Sequence, residues 1–324
     1  MMRVTLGSLI VASIIGCGTK PGPPAKTPAG GTGPVATDTA TGYVAPEPVP
    51  FHTIALASDS SYTSQTAAEG ALPGEVREFT KLEIKFCWCP PGHFRMGTSE
   101  DAPQHLLNER PVEVTLSRGF WMQQTELTQN QYQQLMGCNP SFFRGEHNPV
   151  DSVTWDEATE FCRRLSELPP EKEAGNLFRL PTEAEWEYAC RAGITTEWCY
   201  GDNEEGMEEY GWYHKNSGRT THPVGEKRAN AWGLFDMHGN VSEWCQDFYG
   251  EYPSEPATDP RGPETGDTRR TFRGGGWFFV AEYARSAYRD AHEPADRYVG
   301  RGFRLVATTS PGASRGDNRQ SETR

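Results

Sequence analysis

Arg273-Gly274-Gly275-Gly276-Trp277-Phe278-Phe279-Val280-Ala281-Glu282-Tyr283-Ala284-Arg285-Ser286-Ala287-Tyr288-Arg289, closed further on by Gly302-Phe303-Arg304-Leu305, decides how this chain is read. Glycines bound a run of large aromatic residues. Beyond that run lie Asp290-Ala291-His292-Glu293 and Asp296-Arg297-Tyr298-Val299. If Trp277, Phe278, Phe279, Tyr283, His292, Arg297 and Tyr298 face inward, they are core. If they face outward, they form a recognition surface, since Trp, Tyr, Phe and Arg are the usual anchors of one. Both readings stay open at this point.

Upstream of this stretch the chain carries signals of mixed secondary structure. Lys81 to Phe86 alternates and predicts a strand. Val112-Glu113-Val114-Thr115-Leu116 alternates more cleanly, with Val112, Val114 and Leu116 on one face. Pro90-Pro91-Gly92 predicts a turn, followed by a short strand to Gly97. Thr128 starts a helix that runs through Met136. Thr154-Trp155-Asp156-Glu157 and Thr182-Glu183-Ala184-Glu185 are capping boxes, in which the Thr and Glu side chains satisfy each other's orphan backbone donors. The helix after the first box carries Ala158, Phe161, Cys162 and Leu165 on one face, and the helix after the second carries Trp186, Ala189 and Cys190. After Gly193 the composition favours short strands and ordered loops.

Several blocks, in order, resemble the formylglycine-generating enzyme family, also called sulfatase-modifying factors. They are Pro90-Pro91-Gly92 with Met96-Gly97, Asn139-Pro140-Ser141-Phe142-Phe143, Pro149-Val150 with Val153-Thr154-Trp155, the run Arg179 to Ala189, Asn230 to Trp244, and the C-terminal stretch quoted above. The resemblance implies an α+β fold of C-type-lectin type, loop-rich, with small antiparallel sheets and two main helices. It also implies a departure. Counted from Arg273, the two cysteines that hold copper in the oxidases fall on Phe279 and Ala284, and the family's serine falls on Gly276. Thiolates are the natural soft ligands for Cu(I). Without them, copper is not expected, and the catalytic positions of the oxidase have no counterpart here.

Two further expectations come from the resemblance. The loop Asp236 to Glu243 corresponds to one that holds structural calcium, through the side chains of Asp236 and Glu243 and the carbonyls of Gly239 and Val241. Oxygen donors of this kind suit a hard cation. The C-terminal layout is also similar to that of retroelement-diversified variable proteins, which vary residues between fixed R-G-G-x-W, R-S-A-x-R and G-F-R-L blocks. In the oxidases the same segment lines the substrate groove, so the outward reading of the aromatic run gains weight.

The remaining sequence sets bounds. Residues 1–16 read as a lipoprotein signal peptide: Arg3, then the short apolar run Val4 to Ile15, then Ile14-Ile15-Gly16-Cys17, which matches a bacterial lipobox. Cys17 would become the lipidated N-terminus. Residues 17–78 form a Pro/Thr/Gly-rich tether, residues 79–307 the family-like domain, and residues 308–324 a disordered tail. The net charge of -13 and the absence of a basic run argue against nucleic acid. Cys87-Trp88-Cys89 reads either as a thiol pair or as small strand residues, and Cys162 and Cys190 read as packed thiols. The histidines show no H-x-x-x-H or H-E-x-x-H spacing.

Together these observations predict an exported envelope protein, anchored to a membrane by lipid. Its family-like domain lacks the oxidase thiols and acts as a binding module for a protein, peptide or glycan. A formylglycine-generating oxidase and a diversified variable lectin-like protein are the alternatives.

Overall fold

Helix boundaries follow from local chemistry in this computed structural model, which describes residues 67, 69–78, 80–99, 106–264 and 267–309. α1 (Gln129–Met136), α2 (Trp155–Glu167) and α4 (Glu183–Arg191) each start at a threonine, Thr128, Thr154 and Thr182 respectively, whose hydroxyl accepts from the third helical N–H. In each case the side chain at that third position returns the bond to the threonine N–H, so two orphan donors are satisfied at once. α1 stops at Gly137, whose φ of 76° a side chain would resist. α2 gives way to Pro169-Pro170, which open the short α3 (Pro169–Ala174). The second of the two expected capping-box helices is buried along its whole length.

The longest sheet is antiparallel, in the order β1 (Val76–Glu78), β2 (Lys85–Cys89), β5 (Phe120–Gln123), β12 (Val306–Thr309), β6 (Asn176–Arg179). It separates two cores. Phe86, Trp88, Trp121 and Ala307 project into one, beside Phe161 and Leu165 of α2. Cys87, Cys89, Phe120, Met122 and Val306 project into the other, beside Trp186 and Ala189 of α4. Period-two alternation is therefore present, but both of its phases are apolar. A second sheet runs β10 (Asp290–His292), β9 (Arg270–Arg273), β7 (Ser242–Phe248), β11 (Arg301–Gly302), with β11 parallel to β7. A third pairs β3 (Gly92–Met96), β4 (Val112–Leu116) and β8 (Ala257–Thr258).

The α+β expectation holds. Two details differ. The strand expected from Lys81 begins at Lys85, because Glu83 sits at φ 54° and the Ile84 N–H donates to Thr80 Oγ1, closing a turn where alternation had suggested extended chain. β1 lies before the expected boundary at 79, and β12 runs past 307 to Thr309. Cys17, the rest of the signal segment and tether up to residue 66, and residues 310–324 lie outside the described residues. Among the described residues no helix is long and apolar enough to cross a membrane.

Candidate functional site

β9 is followed by Gly274 and Gly275, with φ of 94° and 74°, and this turn sets up the face. A Cβ on Gly275 would meet the Ala284 Cβ at 2.8 Å, so neither the conformation nor the space admits a side chain. The chain then runs along the surface from Gly276 to a 3-10 turn over Ala281–Ala284. Its backbone is held at both sides. The Trp277 N–H donates to Asn240 O, Ser217 Oγ donates to Trp277 O, and the His214 N–H donates to Phe279 O. Ala281 and Ala284 anchor the turn in a small cluster with Trp198, Met207 and Tyr213.

With the backbone fixed, the rings form one continuous chain. Phe142 meets Phe143, Phe143 meets Trp277 at 5.3 Å, Trp277 meets Phe278 at 5.1 Å, and Phe278 meets Phe279 at 4.1 Å. From Phe279 one branch passes to Tyr283 and Tyr288. From Phe278 another passes to Tyr298 at 5.3 Å and on to His292 at 6.5 Å. Trp277, Phe278, Phe279 and His292 are half-buried, while Phe142, Tyr283 and Tyr298 are exposed. Six of the seven residues singled out from sequence (Trp277, Phe278, Phe279, Tyr283, His292 and Tyr298) thus belong to one ring network. The seventh, Arg297, is exposed, but its guanidinium is committed to Glu157 and to Ser152 O. Phe142 and Phe143 extend the network and were not assigned this role from sequence. The available signal was two adjacent aromatics behind Asn139-Pro140 in a loop.

Phe279 and Ala284, the positions that align with the oxidase thiols, carry a ring of this network and a fully buried methyl. The carbonyl of Ala284 accepts from His238 Nδ1 at 2.7 Å, which fixes the imidazole tautomer, since a carbonyl can only accept. His238 Nε2 then receives the Cys199 N–H at 3.0 Å. The other thiols are packed. Cys162 and Cys190 lie in different cores, and Cys87 and Cys89 share one, where burial pushes the Cys87 thiol up to about 11.

Buried arginines hold the face from beneath. Arg273 pairs with Glu187, Arg285 with Glu109 at 2.8 Å, Arg289 with Glu183 at 2.6 Å, and Arg304 with Glu243 at 2.7 Å. The Arg304 pair reaches the expected calcium loop. Both Glu243 oxygens accept from Arg304, and Oε2 also accepts from Trp186 Nε1. Asp236 is placed differently: Oδ2 accepts from the Gly225 N–H, whereas Oδ1 is buried without a partner. Glu126 is buried beside them and accepts from the Val241 N–H and Asn240 Nδ2. Burial and the mutual repulsion of these carboxylates push Glu126 well up and Asp236 to about 6. Asp236 therefore has an oxygen to offer a hard cation, and Glu243 has none that it does not share with Arg304.

A family model described as the sulfatase-modifying factor enzyme 1-like domain matches residues 74–309. The chain is 32% identical to the chaperone protein LppX of Paenibacillus barcinonensis over 60% of this chain and 81% of that protein. It is 33% identical to the formylglycine-generating enzyme of Streptomyces coelicolor over 49% of this chain, and spans only 52% of that enzyme. Among solved structures, Treponema denticola variable protein 1 superposes with a TM-score of 0.63 at 29% identity, covering 72% of this chain and 98% of that one. PvdO from Pseudomonas aeruginosa superposes with a TM-score of 0.66 at 26% identity, covering 74% and 99%.

Proposed function

This chain belongs to the sulfatase-modifying factor enzyme 1-like family, and we propose that it uses the family fold as a ligand-binding module on the bacterial envelope rather than as an oxidase. The observation that carries this reading is the ring network running from Phe142 to Tyr298, which includes Phe279, one of the two positions where copper thiols would stand. Rings fixed on a pinned backbone present large contact area at low entropic cost. Lipidation of Cys17 would tether the domain to a membrane, and the residues between Cys17 and the described domain would give the face reach above it.

The ligand class proposed is a polypeptide. One relative is named as a chaperone protein and a solved neighbour as a variable protein, and both names fit a face of this kind. The second reading, a member whose C-terminal segment is diversified, is favoured by the likeness to that variable protein together with the R-G-G, R-S-A and G-F-R-L blocks. To test the module, a displayed peptide library is selected against the immobilised domain. Peptides so selected should bind Phe279→Ala and Tyr298→Ala variants about tenfold or more weakly, while the melting temperature changes little. Peptides that ignore both substitutions would place recognition elsewhere.

For the Asp236 loop, calcium is the proposed occupant, with Asp236 as the principal side-chain ligand. Support comes from the unpartnered Oδ1 and from the crowding of three buried carboxyl groups, Glu126, Asp236 and Glu243, around the guanidinium of Arg304, which a bound cation would relieve. A ligand that binds only the folded state stabilises it by roughly 2.7 kcal/mol at one hundred times its dissociation constant. A chelator should therefore lower the melting temperature of the wild type but not of Asp236→Ala. A wild-type melt indifferent to calcium and chelator would reduce the loop to a structural turn.

A further inference from the structure

Arg301 differs from the other buried arginines. Arg191, Arg273, Arg285, Arg289 and Arg304 each pair with a buried glutamate. Arg301 is equally inaccessible, at 2% exposure, yet its side chain forms no ion pair among the described residues. Its Nε and Nη1 are buried without acceptors. In place of a carboxylate it has three rings: Phe272 at 3.9 Å, Trp244 at 4.7 Å and Tyr298 at 5.5 Å. The aromatic faces recover only part of what a guanidinium loses on leaving water. A buried cation of this kind lacks an anion.

Only one of the three rings leads from Arg301 to the surface. Trp244 is fully buried and Phe272 is 2% exposed, but Tyr298 is 43% exposed. Tyr298 is therefore the one flanking ring at the surface, and it belongs to the aromatic face, next to Phe278 and His292. Asp290 and Asp296 act on Arg301 only through space, and Asp296 is turned to His292.

Resting on the binding-module reading, we infer that Arg301 is the base of a carboxylate subsite at the Tyr298 end of the face, reading a ligand carboxylate that adjoins an apolar group. The apolar group lies on the rings and the carboxylate supplies the acceptors that the guanidinium lacks. On a chain with a net charge of -13, a local cation offsets the repulsion that an acidic ligand meets. The subsite is independent of the positions that align with the oxidase thiols.

N-acetylphenylalanine and its neutral primary amide share the ring and differ in the carboxylate, its charge and its second acceptor oxygen, and are suitable probes. Titrated into the purified protein by calorimetry, the acid should bind at least about tenfold more tightly than the amide, since charge-assisted hydrogen bonds outweigh neutral ones. Arg301→Met keeps a long apolar stem between Trp244 and Phe272. That variant should lose the preference for the acid and melt at or above the wild-type temperature. A variant that unfolds or melts clearly lower would show that Arg301 is already satisfied, and would overturn the inference. Equal affinity for acid and amide would overturn it too. If Phe278→Ala then weakened both probes alike, the aromatic face would stand and only the subsite would fall. If neither probe bound, the subsite would be rejected, and the peptide selection would test the face separately.

Discussion

Arg273→Ala is expected to destabilise the domain by roughly 3–5 kcal/mol, the usual consequence of removing one partner from a buried ion pair. Arg273 is fully buried, pairs with Glu187, and donates to Ala287 O at 2.7 Å and to Tyr288 O at 2.6 Å. Its loss would leave two carbonyls without a donor at the point where the chain turns from the aromatic face into β10. Glu187 would keep only Arg191 and the Gly97 N–H. For a domain of this size the melting temperature should fall by on the order of 10 °C. Arg163→Ala provides the comparison. Its pairs with Glu160 and Glu167 lie on the solvent side of α2, with the Arg side chain 53% exposed. Such pairs contribute well under about 1 kcal/mol. If the two variants melted alike, the buried arginines would not be what holds the face in place.

The second large effect is an absence of turnover. Incubated with copper, a reductant and a C-x-P-x-R peptide, the purified protein should leave the peptide mass unchanged. The oxidase reaction needs two thiolates to hold Cu(I), and the aligned positions are a ring and a buried methyl, Phe279 and Ala284. One thiol tied to this segment, Cys190, meets Ser286 Oγ at 3.6 Å and His238 Nε2 at 3.7 Å and is pushed up to about 12 by burial. A thiol so protonated is a poor metal ligand at neutral pH. Conversion of the cysteine to an aldehyde would refute this and direct attention to Cys87 and Cys89.

Much of the fold was legible because its signals are local. Thr154 with Glu157 and Thr182 with Glu185 announce their helices through side chains that reach three residues. Thr128 with Gln131 forms the same box, less visibly, because glutamine replaces the acid. What stayed hidden depends on distant partners. Nothing near Glu183 or Glu187 in sequence marks their partners: both are buried against Arg289 and Arg273, more than eighty positions away in sequence. β2 lost its polar phase because cores lie on both of its sides. In the candidate site, the aromatic run was visible as composition. Its continuity with Phe142 and Phe143, and the missing partner of Arg301, required the loops and sheets to be assembled.

The place of β12 in the longest sheet bears on how the protein is made. This strand is the last described element of the chain, yet it lies between β5 and β6 and hydrogen-bonds to both. While synthesis is under way, β5 and β6 emerge with a gap between them that no earlier segment fills. Both cores stay open to water until the final residues of the domain are available. Pairings over such sequence distances form slowly. If the chain is exported, as proposed above, that delay lets the polypeptide be threaded through a narrow translocation channel before a packed sheet exists to block its passage.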